Sequence, residues 1–103
     1  MFTRLFYGTV QPGKEAEAIA LLTEFVGRAK ALSGCLLAQL LQNGNEIVGI
    51  STWATKEDLA AYADGEVARD LFTKITPLFM GRPTVRSYEV QRSLSDATIM
   101  KTD

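Results

Sequence analysis

The chain has 103 residues, 47% of them hydrophobic and 22% charged, with a net charge of −1. That length allows one domain with a modest core, and the mixed charge lacks the basic stripe by which a nucleic-acid binder neutralises phosphates. No apolar run approaches the roughly 20 residues a membrane helix needs, and Met1-Phe2-Thr3-Arg4-Leu5 has no secretory layout of basic head and apolar stretch, so a cytoplasmic protein is expected.

Residues 2–10, "FTRLFYGTV", are rich in aromatic and β-branched side chains and read as a strand. Pro12-Gly13 breaks it. From Lys14 to Leu32 the apolar positions Ala18, Leu22, Phe25, Val26, Ala29 and Leu32 recur at helical spacing, which predicts an amphipathic helix ended by Ser33-Gly34. "CLLAQLL", 35–41, is a second strand. Asn43-Gly44 signals a hairpin turn, because both residues tolerate positive φ. Residues 46–53, "EIVGISTW", return as a third strand. Thr55 then caps a helix, with Asp58 where a capping box puts its acid. Asp64-Gly65 interrupts that helix. A further segment follows, with Val67, Ala68, Leu71, Phe72 and Ile75 on one face. Pro77 and Gly81-Arg82-Pro83 end it, and "TVRSYEVQ", 84–91, is the last strand. Residues 1–92 form the domain, and the polar, aperiodic residues 93–103 read as a tail or arm.

The order β-α-β-β-α-β predicts the ferredoxin-like α+β fold, a four-stranded antiparallel sheet with its helices on one face. Helices cover one face only, so the other should alternate with polar residues. "CLLAQLL" and "EIVGI" are instead apolar on both sides. A second copy of the chain is the expected cover, giving a homodimer packed sheet to sheet. Burying several hundred Å² per subunit at about 25 cal/mol per Å² yields a gross gain on the order of 10 kcal/mol before association costs.

The chain has no histidine and a single cysteine, Cys35. Ser-His-Asp and Cys-His machinery is therefore absent, as are histidine-based zinc, iron and haem sites. No metal and no cofactor are expected. Cys35, flanked by apolar residues, reads as a small buried hydrophobe. Trp53, the only tryptophan, shares a face by period two with the small Gly49 and Ser51. It reads either as core against Leu71 and Phe72 or as the wall of a pocket. Gly8 and Gly49 mark bulges or close backbone approach. Arg4 and Arg86 suit either an anionic ligand or a cross-strand partner such as Glu89.

"PGK" at the first helix, "SGCLLAQLLQ" before the hairpin, and "STWATKEDLAAYADGEVARDLFTKI" before "PTVRSYEVQ" resemble the antibiotic biosynthesis monooxygenase (ABM) domain family. The resemblance runs from about Phe2 to Gln91. It implies a dimeric α+β barrel built from two facing sheets, with a pocket between sheet and helices in each subunit. Family activities include cofactor-independent oxidation of aromatic polyketides and haem degradation. Trp53 matches the family's tryptophan at the end of the third strand. Tyr62 stands where many members have a histidine, and Phe6 falls near the asparagine of haem-degrading members, so haem degradation is not expected.

The resulting expectation is a cofactor-independent monooxygenase of a small aromatic substrate, a phenol, hydroquinone or polyketide-like ring. Phe6, Trp53, Tyr62 and Phe72 are the expected substrate-binding residues, and no residue stands out as a catalytic base. The alternative is a non-catalytic small-molecule-binding or structural dimer of the same fold.

Overall fold

A computed structural model describes residues 1–96 of the chain. In order, the elements are β1 (Phe2–Thr9), α1 (Glu15–Lys30), β2 (Cys35–Asn43), β3 (Glu46–Trp53), α2 (Lys56–Ala63), α3 (Glu66–Ile75), a short 3-10 turn (Thr76–Leu78) and β4 (Thr84–Glu89). The strands form one antiparallel sheet in the order β2-β3-β1-β4, the ferredoxin-like arrangement. Part of the expected arm, residues 97–103, lies outside the described residues.

Each helix has a local cause. On α1, Ala18, Leu22, Phe25 and Ala29 form the buried stripe, with acids in the first turn and Arg28 and Lys30 in the last, matching the helix dipole. The Thr55 hydroxyl accepts the Asp58 amide at 3.0 Å and caps α2. Gly65 then takes extended backbone and starts α3 afresh. Val10, Phe79, Ile47, Ile75 and Leu22 gather with Phe6, Phe25 and Leu71 into the main core. Trp53 and Cys35, register partners across β3 and β2, are buried outside that cluster.

Two local expectations are corrected. The hairpin turns on Gly44 and Asn45, since Asn43 pairs with Glu46, and of these two only Gly44 has positive φ. A glycine at the first central position is the type II′ solution, so β2 runs two residues further than its apolar stretch suggests. Strict alternation would also put Cys35 and Leu37 on one face. A bulge at Leu36 breaks the register, so Cys35 turns inward beside Trp53 while Leu36 is exposed.

Gly8 is a close-approach position: a Cβ there would land in the ring of Phe79. Gly34 is required twice over. Its φ is +83°, and a Cβ would meet the Asp58 carboxylate. Gly34→Ala should therefore cost about 1–3 kcal/mol. Gly27→Ala, inside α1 with open space around it, should instead stabilise by up to about 1 kcal/mol. Urea midpoints moving in opposite directions at unchanged slope would establish both.

Among the described residues, the sheet's other face carries no helix. Tyr7, Val48 and Leu41 form one row across it, and Leu5, Ile50 and Gln39 the next. Tyr7, Leu41 and Tyr88 are 39%, 47% and 50% exposed.

Candidate functional site

A row of small residues opens a space between the sheet and α1. Phe6 on β1 faces Gly49 on β3, and Arg4 faces Ser51. On β2, Ala38 pairs with Ser51 and Leu40 with Gly49. With no side chain at Gly49 and little at Ser51 and Ala38, the sheet leaves a hollow that α1 spans with Leu22, Phe25, Val26 and Ala29. Tyr62 from α2 and Leu71 from α3 close its sides. The cavity proper is small, about 50 Å³, and reaches about 450 Å³ only when the open space at its solvent-filled mouth is counted. Most of the lining is apolar, with a few polar groups at one end, the usual character of a small-molecule site.

Arg4, Ser51 and Tyr62 make up that polar end. Arg4 is half-buried, and its guanidinium carbon lies 5.6 Å from the centre of the Tyr62 ring, a cation–π distance. Burial lowers its pKa, only partly opposed by Tyr62 and Asp64. Among the described residues its side chain has no hydrogen bond or ion pair. Burial likewise raises the Tyr62 phenol, against the pull of Arg4 and with a further push from Cys35. Tyr62 therefore stays protonated at neutral pH, which leaves its hydroxyl able to donate a hydrogen bond and unsuited to act as a base. Its hydroxyl too has no hydrogen bond among the described residues. Burial also raises the Cys35 thiol, whose Sγ–H donates to the Leu37 carbonyl at 3.6 Å. That keeps it from thiolate chemistry.

Of the four residues singled out from the sequence, Phe6 and Tyr62 line the cavity. Trp53 stands one layer behind. It is fully buried, its indole N–H donates to Ser51 Oγ at 3.0 Å, and its ring stacks on Tyr62 at 4.8 Å. Phe72 backs Phe6 in a T-shaped contact at 5.6 Å and borders a separate surface groove with Thr76, Phe79 and Pro83. These two hold the lining in place rather than forming it. Arg4, which the sequence fits either to an anionic ligand or to a cross-strand partner, also lines the cavity, two residues before Phe6 on the same face. The α1 contribution was visible only as a core stripe.

An ion pair steadies the far wall. Arg28 on α1 meets Asp70 on α3 at 2.7 Å, and Lys74 approaches the same oxygen at 3.3 Å. The hydrogen bond from Arg28 is the main reason the Asp70 carboxyl is held below its usual range. Among the described residues, no group of three or more His, Cys, Asp or Glu side chains gathers to hold a metal ion. No helix there is long and apolar enough to cross a membrane.

Known structures share this architecture. A point mutant of SnoaB, a cofactor-independent oxygenase from Streptomyces nogalater, is 16% identical, with 92% of this chain and 97% of that one covered and a TM-score of 0.79. Rv0793 from Mycobacterium tuberculosis is 16% identical, with 91% and 98% covered and a TM-score of 0.81. NE2512 of Nitrosomonas europaea, a protein of unknown function, is 20% identical, with 92% and 93% covered and a TM-score of 0.82. At such identities the likeness is one of fold. No functionally curated protein matches the chain at a significant level. The sequence profile described as antibiotic biosynthesis monooxygenase, however, matches residues 1–74. This stretch carries β1 to β3 and nearly all of the three helices that enclose the cavity. On that match the chain belongs to the antibiotic biosynthesis monooxygenase (ABM) family.

Proposed function

We propose that the protein is a cofactor-independent monooxygenase acting on a small phenolic ring bound in this cavity. The observation that carries the reading is the cavity itself: an apolar slot between Phe6 and Phe25 with Arg4 and Tyr62 at its polar end, in a chain of the ABM family. Dioxygen reacts with an organic molecule unaided by metal or flavin when that molecule is electron-rich. A phenol that loses its proton meets this condition. Its anion gives an electron to dioxygen, and the radical pair combines into a hydroperoxide. Loss of water then leaves a quinone. One oxygen atom enters the product, the other leaves as water, and the substrate supplies all four electrons. The residues would contribute orientation between aromatic walls, exclusion of water, and donors that favour the anion. Phe6 and Tyr62 touch the ring in this reading, with Trp53 and Phe72 fixing them from behind.

The chain has no histidine, the lining contains no carboxylate among the described residues, and Tyr62 is pushed away from acting as a base. The substrate must therefore ionise by its own acidity, helped by its surroundings. The same fact favours a second reading, a binding protein without turnover. Oxygen uptake decides between them. With a naphthalenediol as probe, the oxygenase consumes one dioxygen per hydroxynaphthoquinone formed, and isotopically heavy dioxygen labels one product oxygen. No uptake above the uncatalysed rate leaves the binding role.

Gly49 supplies a companion test. A Cβ there would contact Phe6 at an ordinary 3.7 Å, and valine suits a strand. Gly49→Val should fill the cavity with less than about 1.5 kcal/mol change in stability and abolish uptake and ligand binding together. Retained uptake in this variant would move the reaction elsewhere.

The same reading includes a homodimer closed over the bare sheet face. The exposed Tyr7, Leu41 and Tyr88 beside Leu5, Val48 and Ile50 support it.

A further inference from the structure

We infer that Arg4 is the counter-ion of the cavity's occupant, which is an aromatic molecule of one or two rings held by an anionic oxygen, with the Tyr62 hydroxyl as second donor. The inference rests on the cavity being the substrate site, and it adds what that site selects: charge as well as shape.

Three observations support it. First, Arg4 sits on the central strand β1, half-buried, on the face that lines the cavity. A guanidinium there has given up part of its hydration, which is costly unless a partner replaces it. Second, the protein supplies no such partner among the described residues. Asp64, just past α2, acts on Arg4 only at a distance, and no ion pair joins them. The Tyr62 phenol and the Cys35 thiol, which act on this end, are both kept neutral by burial. Third, Tyr62 lines the same space, and its hydroxyl has no hydrogen bond among the described residues. Two unused donors beside an apolar slot fit an acceptor carrying negative charge; a guanidinium fork grips a carboxylate with two hydrogen bonds and can donate to the single oxygen of a phenolate. The competing explanation is that Arg4 lays its stem on apolar surface and keeps its head in water, with Tyr62 as a flat support. In that case the cavity is indifferent to ligand charge.

Para-nitrophenol separates the two. Its phenolate absorbs visible light and its phenol does not, and it is too electron-poor to be oxidised by dioxygen, so binding is read without turnover. The expected result is that the phenolate binds at least about tenfold tighter than para-nitroanisole, its neutral relative of the same shape, a difference one good charge-assisted contact supplies. The bound probe's apparent pKa then falls by at least about one unit. Competition by benzoate tells whether a carboxylate can also supply the anion, and either result fits the inference. In Arg4→Met the preference should drop below about twofold, while Arg4→Lys keeps part of it. Equal binding of phenolate and anisole by the native protein would overturn the inference, whether or not the Met variant folds. So would a failure of both to bind at millimolar concentration, or a preference that survives in Arg4→Met. The underlying oxygenase reading fails on a different result, namely anion-selective binding with no oxygen uptake from a naphthalenediol. Uptake without anion selectivity removes Arg4 alone.

Discussion

Replacing Trp53 by alanine should lower the free energy of unfolding by about 3–5 kcal/mol, the range for a large aromatic removed from a core. The ring is fully buried, bonded to Ser51 and stacked on Tyr62. Its loss removes apolar contact, ends the stacking and empties the corner that Cys35 shares. A domain of this size has about 5–15 kcal/mol in all, so the variant should unfold at least about 12 °C lower. Ser51→Ala should cost less, about 1–3 kcal/mol, by leaving a buried indole N–H without its acceptor. A loss below about 1.5 kcal/mol for Trp53→Ala would mean that the ring is a relaxed wall rather than a support. The native protein should also change its tryptophan emission when an aromatic ligand enters, because the stacked Tyr62 lies between Trp53 and the cavity. Thermal unfolding and a fluorescence titration together measure both properties.

Val48→Asp should separate the proposed dimer into monomers. Val48 lies between Tyr7 and Leu41 in the row that crosses the bare face. Packing two such faces together buries it twice, once from each subunit, because a twofold interface repeats every contact. A carboxylate enclosed there without a partner costs several kcal/mol, and every 1.4 kcal/mol weakens association tenfold. The dissociation constant should rise by at least about a thousandfold. Sedimentation at micromolar concentration should give twice the chain mass for the native protein and a single chain mass for the variant. A native protein that sediments as one chain would remove the sheet-to-sheet arrangement.

Most of the fold is visible in the sequence because burial repeats with a period. Leu22, Phe25 and Ala29 mark α1 by their spacing, and Glu46 to Trp53 reads as β3 with both ends correct. The bulge at Leu36 is not visible, because a register shift depends on the partner strand and "CLLAQLL" is apolar in either register. The cavity was half legible. Gly49 and Ser51 beside Trp53 pointed to missing volume, but alternation alone assigns a face and cannot say which large side chain fills the gap. Tyr62 reaches across from α2 and covers Trp53, which puts the tyrosine on the cavity and the tryptophan behind it. Arg4 is hardest to read, since a charged residue on a strand ordinarily faces water, and only the position of Tyr62 shows that this one is half-buried beside an aromatic ring.

Helix α2 is eight residues long and contains no fully buried side chain, whereas α1 carries a continuous buried stripe and is tied to α3 through Arg28 and Asp70. The free energy that holds a segment in place follows the apolar surface it covers. By that measure α2 is the cheapest part of the helical layer to detach, and it carries Tyr62. If the cavity is the substrate site as proposed, displacing this one short element would widen its mouth at Tyr62 while the core around Phe25 and Leu71 stays packed.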